Sequence, residues 1–198
     1  KGLVLETLLD SLILTKGVKS EDLVIGDKNA LMVAARILAY GPEYPCEITN
    51  PNTGKQLTHT FNIANCPFTK LPKGVDGNNF EFELPVSKQK ITYKLLTSKD
   101  ERLIGTEIDA VKKLGTQVLP ELTTRLRYII TSIDGNEDRS AINSFVENML
   151  SRDSLSLRQE ISKVTPDINL TQEIDIEGET VKVDIPMTVN FFWPNSYT

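Results

Sequence analysis

Histidine and tryptophan each occur once and cysteine twice in the 198 residues, and these scarcities remove several kinds of chemistry before any pattern is considered. Two thiols, Cys46 and Cys66, cannot form a disulfide framework. A chain of this length buries roughly 70% of the surface its unfolded form exposes, so it can fold without one. No stretch of about 20 apolar residues is present, so no membrane span is expected. The apolar opening, residues 2–14, is suggestive of an export signal, but Glu6 and Asp10 interrupt it and no small-residue cleavage site follows. The expected site of synthesis is therefore reducing and cytosolic. Runs of like charge are also missing, and the net charge is -5. Scattered Lys and Arg on a negative chain argue against nucleic acid as a partner.

Catalytic signatures are equally scarce. His59 stands between Thr58 and Thr60 in a predicted strand, with no G-x-S-x-G elbow, papain-like cysteine motif or HExxH to give it a partner. It reads as an ordinary strand residue. Asp134-Gly135-Asn136-Glu137-Asp138 gathers oxygens but lacks the EF-hand order, so a turn with Asp138 near the next helix start is expected. Cys46, Cys66 and His59 fall short of a four-ligand zinc set and include no CxxC pair. Buried free thiols are the simpler expectation. No catalytic residue, metal or cofactor is assigned.

What is present is patterned for an α+β fold. Leu5, Leu8, Leu9 and Leu12 repeat at helical spacing up to Gly17, and Ser20 is expected to cap a short turn. Asp27 is expected to cap a helix over 28–39, carrying Leu31, Ala34, Ala35 and Leu38 and stopped by Gly41-Pro42. The period then shifts to two. Strands over 44–49 and 56–63 flank Asn50-Pro51-Asn52-Thr53-Gly54, whose residues have hairpin-turn chemistry. A second strand pair is expected over 80–84 and 90–96. Thr97 with Asp100, or Ser98 with Glu101, has capping-box spacing before a helix to about 114. The following helix is expected to carry Leu119, Leu122, Leu126, Ile129 and Ile130. Another presents Ile142, Phe145, Val146 and Met149. Asp153 is expected to cap the last helix, which Pro166 ends, and a hairpin around Glu177-Gly178 joins 168–176 to 180–185. In segments, 1–42 is helical, 43–96 a β-hairpin subdomain, 97–166 a helical bundle, and 167–198 a C-terminal hairpin with an aromatic tail. Together they suggest one compact domain with a β appendage, its core mainly helical and carrying two or three β-hairpins.

Phe191-Phe192-Trp193-Pro194 is the one candidate binding motif. Three consecutive aromatics cannot share one face of a strand. Either they cap the protein's own core, or one or more enters a partner's groove as an interface anchor.

The ordered set of segments resembles the baseplate hub assembly family of T4-like bacteriophages. It comprises Ser20-Glu21-Asp22-Leu23, Gly26-Asp27, Arg36, and Tyr40-Gly41-Pro42-Glu43-Tyr44. It continues with Leu95-Leu96-Thr97, Asp100-Glu101, Arg125-Leu126-Arg127, Ser132-Ile133-Asp134-Gly135, and Asp153-Ser154 with Leu157-Arg158. Thr165-Pro166-Asp167 and the aromatic tail complete it. The resemblance implies a zinc-ribbon-like hairpin at 50–54, but Asn50 and Thr53 stand where such relatives carry cysteines. The hairpin is thus expected without its metal. A non-enzymatic role in building the central hub of a contractile tail is implied, as hub subunit or as assembly chaperone. Hub and tape-measure proteins are the implied partners, a second copy of the chain being a further one. The place is the host cytoplasm during assembly or the finished virion's baseplate. The rival reading is a hydrolytic or metal-dependent tail-tip factor acting on the host cell wall. A nucleic-acid adaptor is a third, opposed by the charge.

Overall fold

The computed structural model describes residues 2–69, 71, 75, 77–113, 121–176, 178–187 and 189–193. The chain divides into two compact units, residues 1–25 with 70–165 and residues 26–69 with 166–198. Among the described residues the architecture is α+β, with six α-helices and several small antiparallel sheets.

In the first unit, α1 (Gly2–Leu12), α3 (Ser98–Lys113), α4 (Glu121–Ile129), α5 (Arg139–Glu147) and α6 (Ser151–Val164) accompany one three-stranded sheet. Its strands β4 (Phe80–Glu83), β5 (Lys90–Tyr93) and β6 (Ile130–Ile133) pair antiparallel in that order. Alternation sends Phe80, Ile91 and Tyr93 inward, where they meet Leu126, Ile142, Val146 and Leu157 from the helices. Thr97 and Asp100 form the predicted capping box, each side chain accepting the other's N–H at 3.0 and 3.2 Å. Lys94 Nζ donates to both oxygens of Asp100 at 2.8 Å. Burial raises the Asp100 carboxyl, but the bonds from Lys94 and Thr97 outweigh that and hold it below its ordinary value.

The second unit contains α2 (Ile25–Tyr40), two hairpins and a short strand pair. The hairpins join β1 (Glu43–Thr49) to β2 (Gln56–Asn62), and β8 (Thr171–Ile176) to β9 (Glu179–Asp184). The short pair, β3 (Phe68–Thr69) with β7 (Asp167–Ile168), links distant stretches of chain. Bonds from Asn50 N to Lys55 O (2.8 Å) and from Ile63 N to Pro42 O (2.9 Å) fix the alternation of the first ladder. Pro45 therefore falls opposite Thr60 in a non-hydrogen-bonded pair, where its missing N–H costs the ladder nothing. Gly26 is required for space: a Cβ there would overlap the Pro166 carbonyl.

Several expectations are corrected. The first helix ends at Leu12, well before Gly17. Ser20 does not cap the turn after it; its N–H donates to Asp10 at 2.7 Å instead. The second helix starts at Ile25, so Asp27 lies in its first turn. Ile130 belongs to a strand, because the fully buried edge of the sheet overrides the helical spacing that precedes it. Asp153 is likewise inside its helix, with Leu150 at the N-cap. Its carboxylate, in a residue 1% exposed, accepts the N–H groups of Val86 and Ser87 at 2.8 and 3.0 Å and holds that loop on the helix. The expected helix start at 115–120, including Leu119, and Glu177 of the last turn lie outside the described residues.

Burial raises the Asp153 carboxyl, yet the two N–H bonds prevail and its value is lowered. A lowered folded-state value means stabilisation that is complete above the unfolded carboxyl's value, about 3.9, and lost as pH falls through the folded one. Asp153→Asn should therefore lower stability at pH 7 and flatten its decline in acid, as read from urea denaturation between pH 3 and 7.

Candidate partner-binding surface

The aromatic tail forms part of the second unit. Residues Val189–Phe191 make one 3-10 turn, which Phe192 and Trp193 follow. Phe191 is fully enclosed, its ring edge-on to Tyr44 at 5.0 Å and to Phe192 at 5.1 Å. Phe192 is 9% exposed, whereas Trp193, 6.0 Å from it, is 38% exposed. Of the three rings, only Trp193 offers substantial area to a partner; the two phenylalanines are core. Pro194 lies outside the described residues.

The C-terminal end of α2 adds a second exposed aromatic. Tyr40, half exposed, donates its hydroxyl to the Phe192 carbonyl at 3.1 Å, which fixes it beside the tail. Beneath it the Arg36 guanidinium sits 4.6 Å from the Tyr40 ring centre and 5.8 Å from that of Tyr44. Arg36 is buried and donates to the carbonyls of Gly41 and Glu43 at 3.5 and 3.3 Å. The arginine thus ties the end of α2 to the start of β1 and stiffens Tyr40. Sequence reasoning gave no role to Arg36 or Tyr40. The signal was their spacing of four on one helix, which brings a cation over an aromatic face.

The remaining candidates are placed apart. Cys46 faces His59 across the first hairpin, and the His59 ring packs edge-on to Phe61 at 4.7 Å. Burial pushes the Cys46 thiol up to about 11, so it stays protonated at neutral pH. Cys66 is buried on its own and takes a 3.4 Å contact from Gln172 Nε2. Asp134 accepts from Lys90 N at 2.9 Å, and Asp138 caps α5 by accepting from Ala141 N at 2.8 Å. Their oxygens complete backbone turns. Among the described residues no group of three or more His, Cys, Asp or Glu could hold a metal ion.

At the tip of the first hairpin, Asn50 is buried and its Oδ1 accepts from Asn52 N at 2.8 Å and Thr53 N at 3.3 Å. Gly54, at φ +71°, turns back to donate to Asn50 O at 2.8 Å. An amide oxygen and a left-handed glycine therefore close this turn from within the chain.

Among known families, the one described as T4 bacteriophage base plate protein matches residues 3–193. No curated protein and no solved structure shows a significant match.

Asn50→Ala removes the acceptor for two tip N–H groups and should cost about 1–2 kcal/mol by thermal or urea denaturation. Elemental analysis of the purified chain should find no stoichiometric zinc; one zinc per chain would contradict the reading of the 50–54 turn.

Proposed function

The chain belongs to the T4 bacteriophage base plate protein family, and we propose that it serves there, without catalysis, in assembly of the central hub. The observation that carries this is the family match over nearly the whole chain, joined to an aromatic surface that stays partly exposed. A base plate component works by covering its neighbours' surfaces with its own. Stable contacts of that kind bury on the order of 1,600 Å² and concentrate their energy in a few aromatic or arginine anchors. Trp193 and Tyr40 fit that role. Each presents a rigid ring at low entropic cost, and each is tied to the core through Phe192.

Hub and tape-measure proteins are the proposed partners, with the chain acting as a resident subunit or as an assembly chaperone. The count of this chain in purified tails separates the two roles, since a subunit is stoichiometric and a chaperone absent.

Trp193→Ala should weaken co-elution with hub and tape-measure proteins by about tenfold or more in affinity while shifting Tm by no more than a few degrees. Phe191→Ala should instead cost about 3–5 kcal/mol of stability. Equal loss of stability in both variants would make Trp193 a core residue and remove the proposed anchor.

A further inference from the structure

The first unit carries a second feature that its own fold leaves incomplete. Helices α4, α5 and α6, with Met149 between the last two, line an open pocket of about 290 Å³, at the small end for ligand pockets and suited to one or two side chains. Leu126, Val146 and Met149 give it an apolar floor. Ser151, Ser154 and Arg158, spaced by three and four residues on one face of α6, form its polar wall.

Three observations make that wall a receptor for an oxyanion. Helix α6 runs for 14 residues and has leucine at its N-cap, so the cap side chain accepts none of the first-turn N–H groups, although the Asp153 carboxylate, spent on Val86 and Ser87, stands in that turn. Ser154 is 8% exposed, and its buried hydroxyl has no hydrogen-bond partner among the described residues. Native folds rarely leave such a group unsatisfied unless something else completes it. Among the described residues Arg158 uses only its Nε, donating to Ser154 O at 3.4 Å, and forms no ion pair. Helix end, hydroxyl and guanidinium are all donors, and together they suit a carboxylate. Exposed Leu122 and Leu150 extend the apolar area around them. Glu147, also among the lining residues, disfavours a second negative charge.

We propose that this cavity docks an acidic side chain of a partner protein together with an aliphatic neighbour. The carboxylate lies against Ser151, Ser154 and Arg158, and the aliphatic group lies on Leu126, Val146 and Met149. This deepens the assembly reading, because it rests on the chain working through protein contacts, and it adds a polar, charge-selective site to the aromatic one.

The test titrates the intact chain with acetyl-Leu-Asp-amide, followed by amide shifts of residues 151–154 in NMR. The neutral acetyl-Leu-Asn-amide and the truncated acetyl-Gly-Asp-amide are expected to bind about tenfold more weakly or worse. Arg158→Gln should weaken the acidic probe by a similar factor, whereas Glu147→Gln should tighten it about twofold. Ser154→Ala is the distinctive variant: removing an unsatisfied buried hydroxyl should raise Tm while weakening the probe. A Tm that falls, equal binding of the Leu-Asn and Leu-Asp probes, or shifts confined elsewhere would each overturn the proposal. Co-assembly with base plate proteins separates it from the reading beneath it. Wild-type complexes unaffected by Arg158→Gln would sink this site and leave the assembly role standing. A wild type that forms no complex would sink the assembly role and, with it, the assignment of the site to a protein partner.

Discussion

Tyr44 is the point on which the second unit closes. It is buried among residues drawn from both ends of the chain, its hydroxyl donating to Pro186 O at 2.9 Å and its ring meeting Phe191. Residues 70–165, which belong to the other unit, separate those partners in sequence. Closing so long a loop carries an entropic cost that grows only slowly with length, so a few well-packed long-range contacts suffice to offset it. A buried aromatic with its hydroxyl satisfied is well suited to that task, since it combines large apolar burial with a direction-specific bond. The short pairing of β3 with β7 and the close approach of Gly26 to Pro166 join the same two stretches. The second unit therefore depends on contacts between these two distant stretches.

The first unit is organised by polar groups that are spent on the fold. Asp153 holds the loop at Val86 and Ser87, and Asp100 closes its own helix cap and pairs with Lys94. Asn78 exchanges two bonds with the backbone of Leu95, at 2.7 and 2.9 Å. Each places a carboxylate or amide where backbone donors would otherwise be buried without partners. Acidic residues that might suggest chemistry in a linear reading are thus engaged as structural acceptors. Ser154, whose buried hydroxyl has no partner among the described residues, and the uncapped start of α6 depart from this economy.

The proposed function rests on two surfaces of different character. In one unit, Trp193 and Tyr40 present aromatic area fastened to a buried Phe-Phe pair. In the other, a small cavity combines an apolar floor with Ser151, Ser154 and Arg158 on one side and the Glu147 carboxylate among its lining. Aromatic anchors contribute affinity through burial, while a charge-selective pocket contributes register and discrimination among partners. A component of a many-protein assembly needs both, because its neighbours must be bound in one orientation.

Local pattern alone determined much of this. The turn residues 50–54 announced the first hairpin, Gly41-Pro42 stopped α2, the Thr97–Asp100 spacing announced its capping box, and helical periodicity located most of the helices. Each of these is written within a few residues, where sterics and short-range hydrogen bonds operate. The order of motifs also carried the family, which the match over residues 3–193 bears out at the level of the base plate. Only the tertiary structure decided that Ile130 turns from helix into strand, that Asp153 serves a loop 66 residues away, and that Phe191 and Phe192 are core while Trp193 faces out. The α6 cavity was equally hidden, since Leu126, Val146 and Arg158 come from three helices. Which face of an apolar residue is covered, and which donor lacks an acceptor, depends on neighbours brought together by folding, and no local period records them.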